Sequence, residues 1–282
     1  MKIYITGLPS GYEVEHLVRL FYPMAPLTLT APEDGEDCVW AEKKPDGLWA
    51  MVRERGKSKT ARALLPDIET PEFALASLTY DLLRAWTGIR PPWGKMTGVR
   101  PVRLIHDKRA AGWSEEDIDQ FFLGRFDCSR QKYQMAKAIA DLQEPILKAG
   151  SVPKTYSLYI GIPFCPSRCS YCSFVSCNLD RDRKMVQPYV DCLCREVEEI
   201  KAQADKAGLT LCSIYIGGGT PTSLSADQLR QLMGTVRENF DLSQVMEYTV
   251  EAGRPDCTDA EKLAVIKEYG ATRISINPQT FS

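Results

Sequence analysis

Cys165, Cys169 and Cys172 stand in a C-x-x-x-C-x-x-C loop, Cys165-Pro166-Ser167-Arg168-Cys169-Ser170-Tyr171-Cys172, directly after a strand-like apolar run. Three thiolates from one short loop can bind three irons of a cubane cluster and leave the fourth iron open to a ligand. Structural zinc closes its tetrahedron with four protein ligands. Neither His16 nor His106 is near the loop, but Cys177 offers a fourth thiolate. Spacing alone therefore leaves cluster and zinc both open.

Two later stretches can also carry chemistry. Gly217-Gly218-Gly219-Thr220-Pro221-Thr222 lets main-chain groups approach a ligand closely, because no Cβ intervenes at the glycines. A tight strand-to-helix turn accounts for the same residues. Glu251, in Glu251-Ala252-Gly253-Arg254-Pro255, puts a carboxylate at a strand end, with an ion pair to Arg273 as the plain structural alternative.

These positions need a scaffold, and the pattern from residue 156 onward supplies one. Residues 157–162, 213–217, 247–252 and 272–277 alternate as strands, separated by helical patterns at 186–207, 226–239 and 259–269. Ser225 with Gln228 and Thr258 with Glu261 form capping-box patterns, and Gly208 and Gly270 stand where helix C-caps belong. Repeated strand–helix units imply parallel strands. Period two puts Leu158, Ile160, Ile162, Ile214, Ile216, Tyr248, Val250, Ile274 and Ile276 on a helix-covered face. The opposite face collects Tyr159, Ser213, Tyr215, Glu247, Thr249, Glu251, Arg273, Ser275 and Asn277. A closed (β/α)8 barrel fills its centre with branched apolar side chains. So polar an interior predicts an open barrel with a wet lumen and its site at the C-terminal strand ends.

The fold class expected is α/β. Residues 1–150 read as a smaller mixed α/β region that turns helical, and 151–282 as a separate domain, with the boundary at Gly150-Ser151-Val152-Pro153. Upstream, residues 2–7 suggest a strand, 13–21 a helix, and Pro45-Asp46-Gly47 the turn of a hairpin. Helical patterns follow at 72–86, 115–123 and 130–148, the second opened by Ser114 with Asp117.

Charge is nearly balanced, with 35 Lys+Arg against 37 Asp+Glu in 282 residues, so no overall field draws nucleic acid or anionic lipid. The chain shows neither a signal-peptide pattern nor an apolar span of roughly 20 residues, and a cytoplasmic protein without membrane or nucleic-acid partners is expected. In that compartment ten cysteines, five of them between 165 and 192, point to metal or redox chemistry rather than disulfides. Cys38, Cys128, Cys192, Cys194, Cys212 and Cys257 read as packing; Cys192 and Cys194 point to different faces of a helix. The basic stretches 53–62 and 90–109 would suit a polycarboxylate, but solvated faces are the favoured reading.

Taken in order, Tyr159-Ile160-Gly161-Ile162-Pro163-Phe164-Cys165, the cysteine loop, the glycine run, Glu251-Ala252-Gly253-Arg254-Pro255 and Arg273-Ile274-Ser275-Ile276-Asn277-Pro278-Gln279 resemble the oxygen-independent coproporphyrinogen III oxidase family of radical S-adenosylmethionine enzymes. The wording is most similar to the family's coproporphyrinogen dehydrogenase branch. The resemblance spans about 156–282.

It implies the N-terminal part of an open (β/α)6 partial barrel, about four strands of it, in a chain that looks C-terminally truncated. It implies a [4Fe-4S] cluster on Cys165, Cys169 and Cys172, and S-adenosylmethionine chelated to the open iron. Cofactor contacts would come from Tyr159, Tyr171, Gly218, Gly219, Thr220, Glu251 and Gln279. It further implies radical hydrogen abstraction from a propionate side chain of a porphyrinogen, an oxidoreductase role in haem biosynthesis, and an electron donor such as flavodoxin or ferredoxin. One residue departs from the family: two positions after Cys172, where true coproporphyrinogen oxidases carry a further cysteine, stands Phe174, as in haem-chaperone relatives. A haem-binding chaperone on the same scaffold is therefore the second reading.

Overall fold

The computed structural model describes residues 1–65 and 70–278. The chain divides into two compact units, Met1–Leu142 and Gln143–Ser282.

The first unit opens with β1 (Lys2–Thr6), α1 (Tyr12–Val18), β2 (Leu27–Thr28), β3 (Cys38–Lys44), β4 (Gly47–Glu54) and β5 (Lys57–Ala63). These strands form one mixed sheet in the order β2-β1-β3-β4-β5, and β3 and β4 are the expected hairpin. Alternation along the strands turns Ile3, Ile5, Val39, Ala41, Leu48, Ala50 and Val52 onto α1 and α2 (Pro71–Thr87). Thr70 caps α2 through the Phe73 N–H, with Pro71 following at the first helical position. Then come α3 (Pro101–Ala110), α4 (Glu115–Asp119), a π-helical turn at Gln120–Arg125, and the first part of α5 (Arg130–Gly150), a helix that runs on past Leu142 into the second unit; these pack around Ile105, Ile118, Phe122, Tyr133 and Ala136.

Two elements here escape sequence patterning. β5 was part of a basic run; it is an edge strand whose exposed Lys57 and Lys59 discourage further pairing. α3 is a decapeptide opened by Pro101, with four charged residues and one buried one, Ile105, and so has little apolar period to read.

The second unit is built on β6 (Thr155–Ile162), β9 (Thr210–Gly218), β10 (Glu247–Glu251) and β11 (Arg273–Ser275), all parallel and ordered β6-β9-β10-β11. The connecting helices are α6 (Leu179–Lys206), α7 (Ala226–Asn239) and α8 (Ala260–Glu268). Leu158, Ile160, Ile162, Ile214, Ile216, Tyr248 and Val250 form one core with Val190, Val197, Leu229, Leu232, Met233, Val236, Val265 and Ile266 of these helices. The α/β class and the parallel, helix-faced sheet are as expected of a partial barrel. Between β6 and α6, the short parallel pair β7 (Phe164–Cys165) and β8 (Cys177–Asn178) closes the base of the cysteine loop. Gly208 and Gly270 take positive φ just past α6 and α8, and Ser225 with Gln228 forms a complete capping box on α7.

Three expectations change. Ile274 and Ile276, assigned to the helix-covered face, are 38% and 58% exposed, the first on the edge strand β11 and the second just past it. Thr258 does not cap α8; Asp259 does, through the Lys262 N–H, and the Thr258 hydroxyl instead donates to Arg254 O and is hydrogen-bonded to the Thr222 hydroxyl. Cys192 is not packing: it is exposed beside the Arg195 guanidinium, while Cys194 on the opposite side of the helix is buried.

Candidate functional site

Three turns meet above the C-terminal ends of the second sheet. The cysteine loop is anchored at its start by Phe164, which is buried and packs edge-on against Tyr189. Its end is pinned by the Cys177 N–H on Pro163 O, 2.7 Å. The glycine turn after β9 docks on this base: Gly219 N–H donates to Ile162 O (2.8 Å) and Thr220 N–H to Phe164 O (2.9 Å). The third turn, after β10, is tied to the second by Lys262, whose Nζ donates to both Thr222 O and Cys257 O.

Gly218 and Gly219 explain why this turn admits no side chain. Gly218 has φ +109°, a region closed to most L residues, and a Cβ there would stand 2.9 Å from Ile162 O. A Cβ on Gly219 would stand 2.9 Å from both Cys165 Sγ and Phe164 O. The backbone therefore runs directly beside the first cysteine. Thr220 is buried and its hydroxyl lies 3.4 Å from Cys165 Sγ, so its side chain serves the cysteine rather than open space.

One cavity of about 290 Å³ collects most of the expected residues: Cys165, Cys169, Cys172, Tyr171, Gly218, Gly219, Thr220 and Glu251 all line it. Tyr171 stands at the rim, largely exposed, its hydroxyl pushed up by hydrogen bonding to Cys169. Among the described residues no three Cys, His, Asp or Glu side chains converge on a single metal-ion centre. The three thiols line one cavity.

Tyr159 is not part of the cavity wall. It lies exposed on the polar sheet face, stacked on Tyr215 at 5.9 Å with an interplanar angle of 11°. Gln279 lies outside the described residues. The ion pair weighed for Glu251 goes elsewhere: Arg273 pairs with Glu247 (3.1 Å) and donates to Thr249 (3.0 Å). Glu251 accepts instead from the Tyr215 hydroxyl at 2.5 Å. The register makes this possible, since Tyr215 aligns with Thr249, two residues before Glu251 on the same face.

Sequence reasoning placed Tyr215 on the polar face but gave it no role, and passed over Arg254, which also lines the cavity. Period two on adjacent parallel strands was the available signal for Tyr215; nothing in the sequence aims Arg254. Desolvation first, and then its bond to Glu251, push Tyr215 up to about 12. The phenol thus stays a donor across the physiological range. Since this pKa is raised on folding, the stabilisation is complete below about pH 10, the ordinary tyrosine value, and is lost as pH rises through about 12. Tyr215→Phe should remove one phenolate from the alkaline ultraviolet titration and leave Glu251 unrestrained. Affinity of the full-length protein for S-adenosylmethionine, measured by calorimetry, should weaken about fivefold, the worth of one net hydrogen bond.

Residues 159–282 match the radical SAM superfamily. The oxygen-independent coproporphyrinogen-III oxidase-like protein HemZ of Bacillus subtilis is 37% identical over 208 residues, covering 71% of this chain and 40% of that protein. Heme chaperone HemW of Bacillus subtilis is 42% identical over 126 residues (44% of this chain, 32% of that protein). Anaerobilin synthase of Escherichia coli O157:H7 is 32% identical over 144 residues (51% and 32%). The chain spans 40% or less of the length of each. The HemZ alignment is longer than 159–282 and reaches into the residues before it, further than the motifs alone carried the resemblance. Three cavity-lining thiols, a glycine turn against the first of them and a carboxylate one strand on thus lie within a stretch that matches the radical SAM superfamily, a match that implies a [4Fe-4S] cluster and S-adenosylmethionine, and that is similar to coproporphyrinogen oxidase-like proteins.

Proposed function

We propose that the whole protein is a radical SAM oxidoreductase of tetrapyrrole metabolism that oxidatively decarboxylates propionate side chains of a porphyrinogen. The observation that carries the reading is the gathering of Cys165, Cys169, Cys172, Gly218, Gly219 and Glu251 around one cavity. The 37% identity to HemZ supports it from sequence.

The residues fit the cofactors. Cys165, Cys169 and Cys172 would hold three irons, and the side-chain-free backbone at Gly218 and Gly219 leaves room for a ligand beside them. Glu251 keeps one oxygen for a cofactor hydroxyl or amine while Tyr215 fixes the other. Tyr171 would cover the ligand from the rim, with Thr220 and Gln279 as further contacts the family pattern implies; Tyr159, also implied by that pattern, lies outside the cavity wall. When bound, the cluster and S-adenosylmethionine supply a carbon-centred radical able to take a hydrogen atom from an unactivated C–H bond. For a propionate side chain, loss of that hydrogen, then of carbon dioxide and one electron to an acceptor, leaves a vinyl group. The reading places the chemistry in residues 151–282 and leaves 1–150 with a separate role. It also implies a flavodoxin- or ferredoxin-like electron donor and a reducing, cytoplasmic setting. Among the described residues no helix is long and apolar enough to cross a membrane.

The test is anaerobic turnover by the full-length, cluster-loaded protein with coproporphyrinogen III, S-adenosylmethionine and a low-potential reductant. Vinyl product with release of carbon dioxide is expected. Cleavage of adenosylmethionine with the porphyrinogen unchanged would refute the substrate. The second reading, a haem-binding chaperone, is favoured by Phe174, 69% exposed on the cysteine loop and lining the cavity, and by the 42% identity to HemW. A haem titration that gives a stable, stoichiometric complex supports it, and absence of stable binding removes it.

A further inference from the structure

We infer that Arg254 and Asp256 form a positioning pair that holds the cysteine loop and sets the charge beside one of its sulfurs. The inference rests on the reading that Cys169 is a cluster ligand. Arg254 lies in the turn after β10, and its side chain is only 16% exposed. Its Nε and Nη2 grip the two oxygens of Asp256 at 3.0 and 2.5 Å, a fork-to-fork pair that fixes the plane of the guanidinium. That leaves Nη1 aimed at the loop, where it donates to Ser167 O (3.2 Å) and Ser167 Oγ (3.0 Å) and lies 3.9 Å from Cys169 Sγ.

Two consequences follow from this geometry. The loop is paired at its base, Phe164 with Cys177 and Cys165 with Asn178, while Arg254 reaches its middle from a different strand end, so the cysteines are held partly in place before any iron arrives. Secondly, a permanent positive charge stands beside one sulfur, with its counter-charge on the far side of the guanidinium. Reducing a cluster adds a negative charge. Charge and hydrogen bonds at the sulfurs are main determinants of cluster potential, so Arg254 favours the reduced state and Asp256 moderates it. Lysine would keep the charge but not the two-pronged grip.

The test is a redox titration, followed by electron paramagnetic resonance, of the full-length, cluster-loaded protein and its R254Q, D256N and R254K variants. At a fixed ambient potential R254Q should lower the ratio of reduced to oxidised cluster about tenfold, as expected for removing one charge at this range. D256N should raise that ratio, and R254K should stay near wild type. A purely structural clamp would give R254Q and D256N shifts of the same sign, or none, and either result overturns the inference. If R254Q fails to load iron, D256N decides alone: an unchanged or lowered ratio is fatal. Wild-type protein that binds no iron or sulfide would instead remove the cluster reading itself, which separates the two failures.

Discussion

Replacing any one of Cys165, Cys169 or Cys172 by serine in the full-length protein should leave less than about a tenth of the wild-type iron and sulfide, because the site has no spare ligand and metal affinity depends on every thiolate. Adenosylmethionine cleavage should fall to background with it. All three thiols line the same cavity and none is buried, so their loss acts on the site rather than on the core. Cys177 is the informative control. It sits in the β7–β8 pair at the base of the loop and does not line that cavity, so Cys177→Ser should retain the full complement of iron. Iron and sulfide analysis after anaerobic purification reads all four variants. Full iron in any of the three serine variants, or loss of iron in Cys177→Ser alone, would contradict the assignment. One tightly held zinc in place of iron would restore the structural-metal alternative.

Gly219→Ala is expected to do nearly as much damage with a single methyl group. Its Cβ would fall 2.9 Å from Cys165 Sγ and Phe164 O and 3.1 Å from Ile162 O, and two of these three are backbone atoms that cannot swing aside. The same residue donates its N–H to Ile162 O, so it cannot retreat without giving up that bond. Overpacking of this kind costs about 1–3 kcal/mol, read as a drop of several degrees in the melting temperature. The larger effect falls on function, because relief requires moving Cys165. Cluster loading should fall at least about fivefold, the change that roughly 1 kcal/mol of lost site geometry produces. Gly253→Ala is the steric control: among the described residues, its chain neighbours aside, no atom lies within 4 Å of the Cβ it would add, so its melting temperature should match wild type. A Gly219→Ala protein with wild-type melting temperature and iron content would show that the turn yields more easily than its contacts indicate.

Much of the scaffold was legible because the second unit obeys simple periodicities. Leu158, Ile160 and Ile162 alternate strictly, and the structure buries all three under α6 and α7. Ser225 and Gln228 specify one helix start by a local exchange of hydrogen bonds, and that exchange is present. Where local rules misled, a longer-range contact had claimed the residue. Thr258 matches a capping pattern, yet its hydroxyl joins two turns by bonding Thr222, 36 residues earlier, and the neighbouring Asp259 takes over the cap. Ile274 and Ile276 carry the right alternation, but alternation says which way a side chain points and not what lies over it.

The candidate site divides along the same line. Cysteine spacing, the glycine run and a carboxylate at a strand end are one-dimensional facts, and the sequence by itself determined that these groups exist, in this order, at successive strand ends. Chain order at strand ends nearly suffices in a parallel sheet, because every strand delivers its C-terminus to the same edge. Only the tertiary structure decided which groups touch. Parallel register set Tyr215 against Glu251 and sent Arg273 to Glu247 instead. The approach of two turns brought Arg254 to Ser167, 87 residues away in sequence, and turned Thr220 toward Cys165. A side chain's partner depends on register, twist and the path of connecting loops, and these are properties of the assembled sheet that no residue spacing encodes.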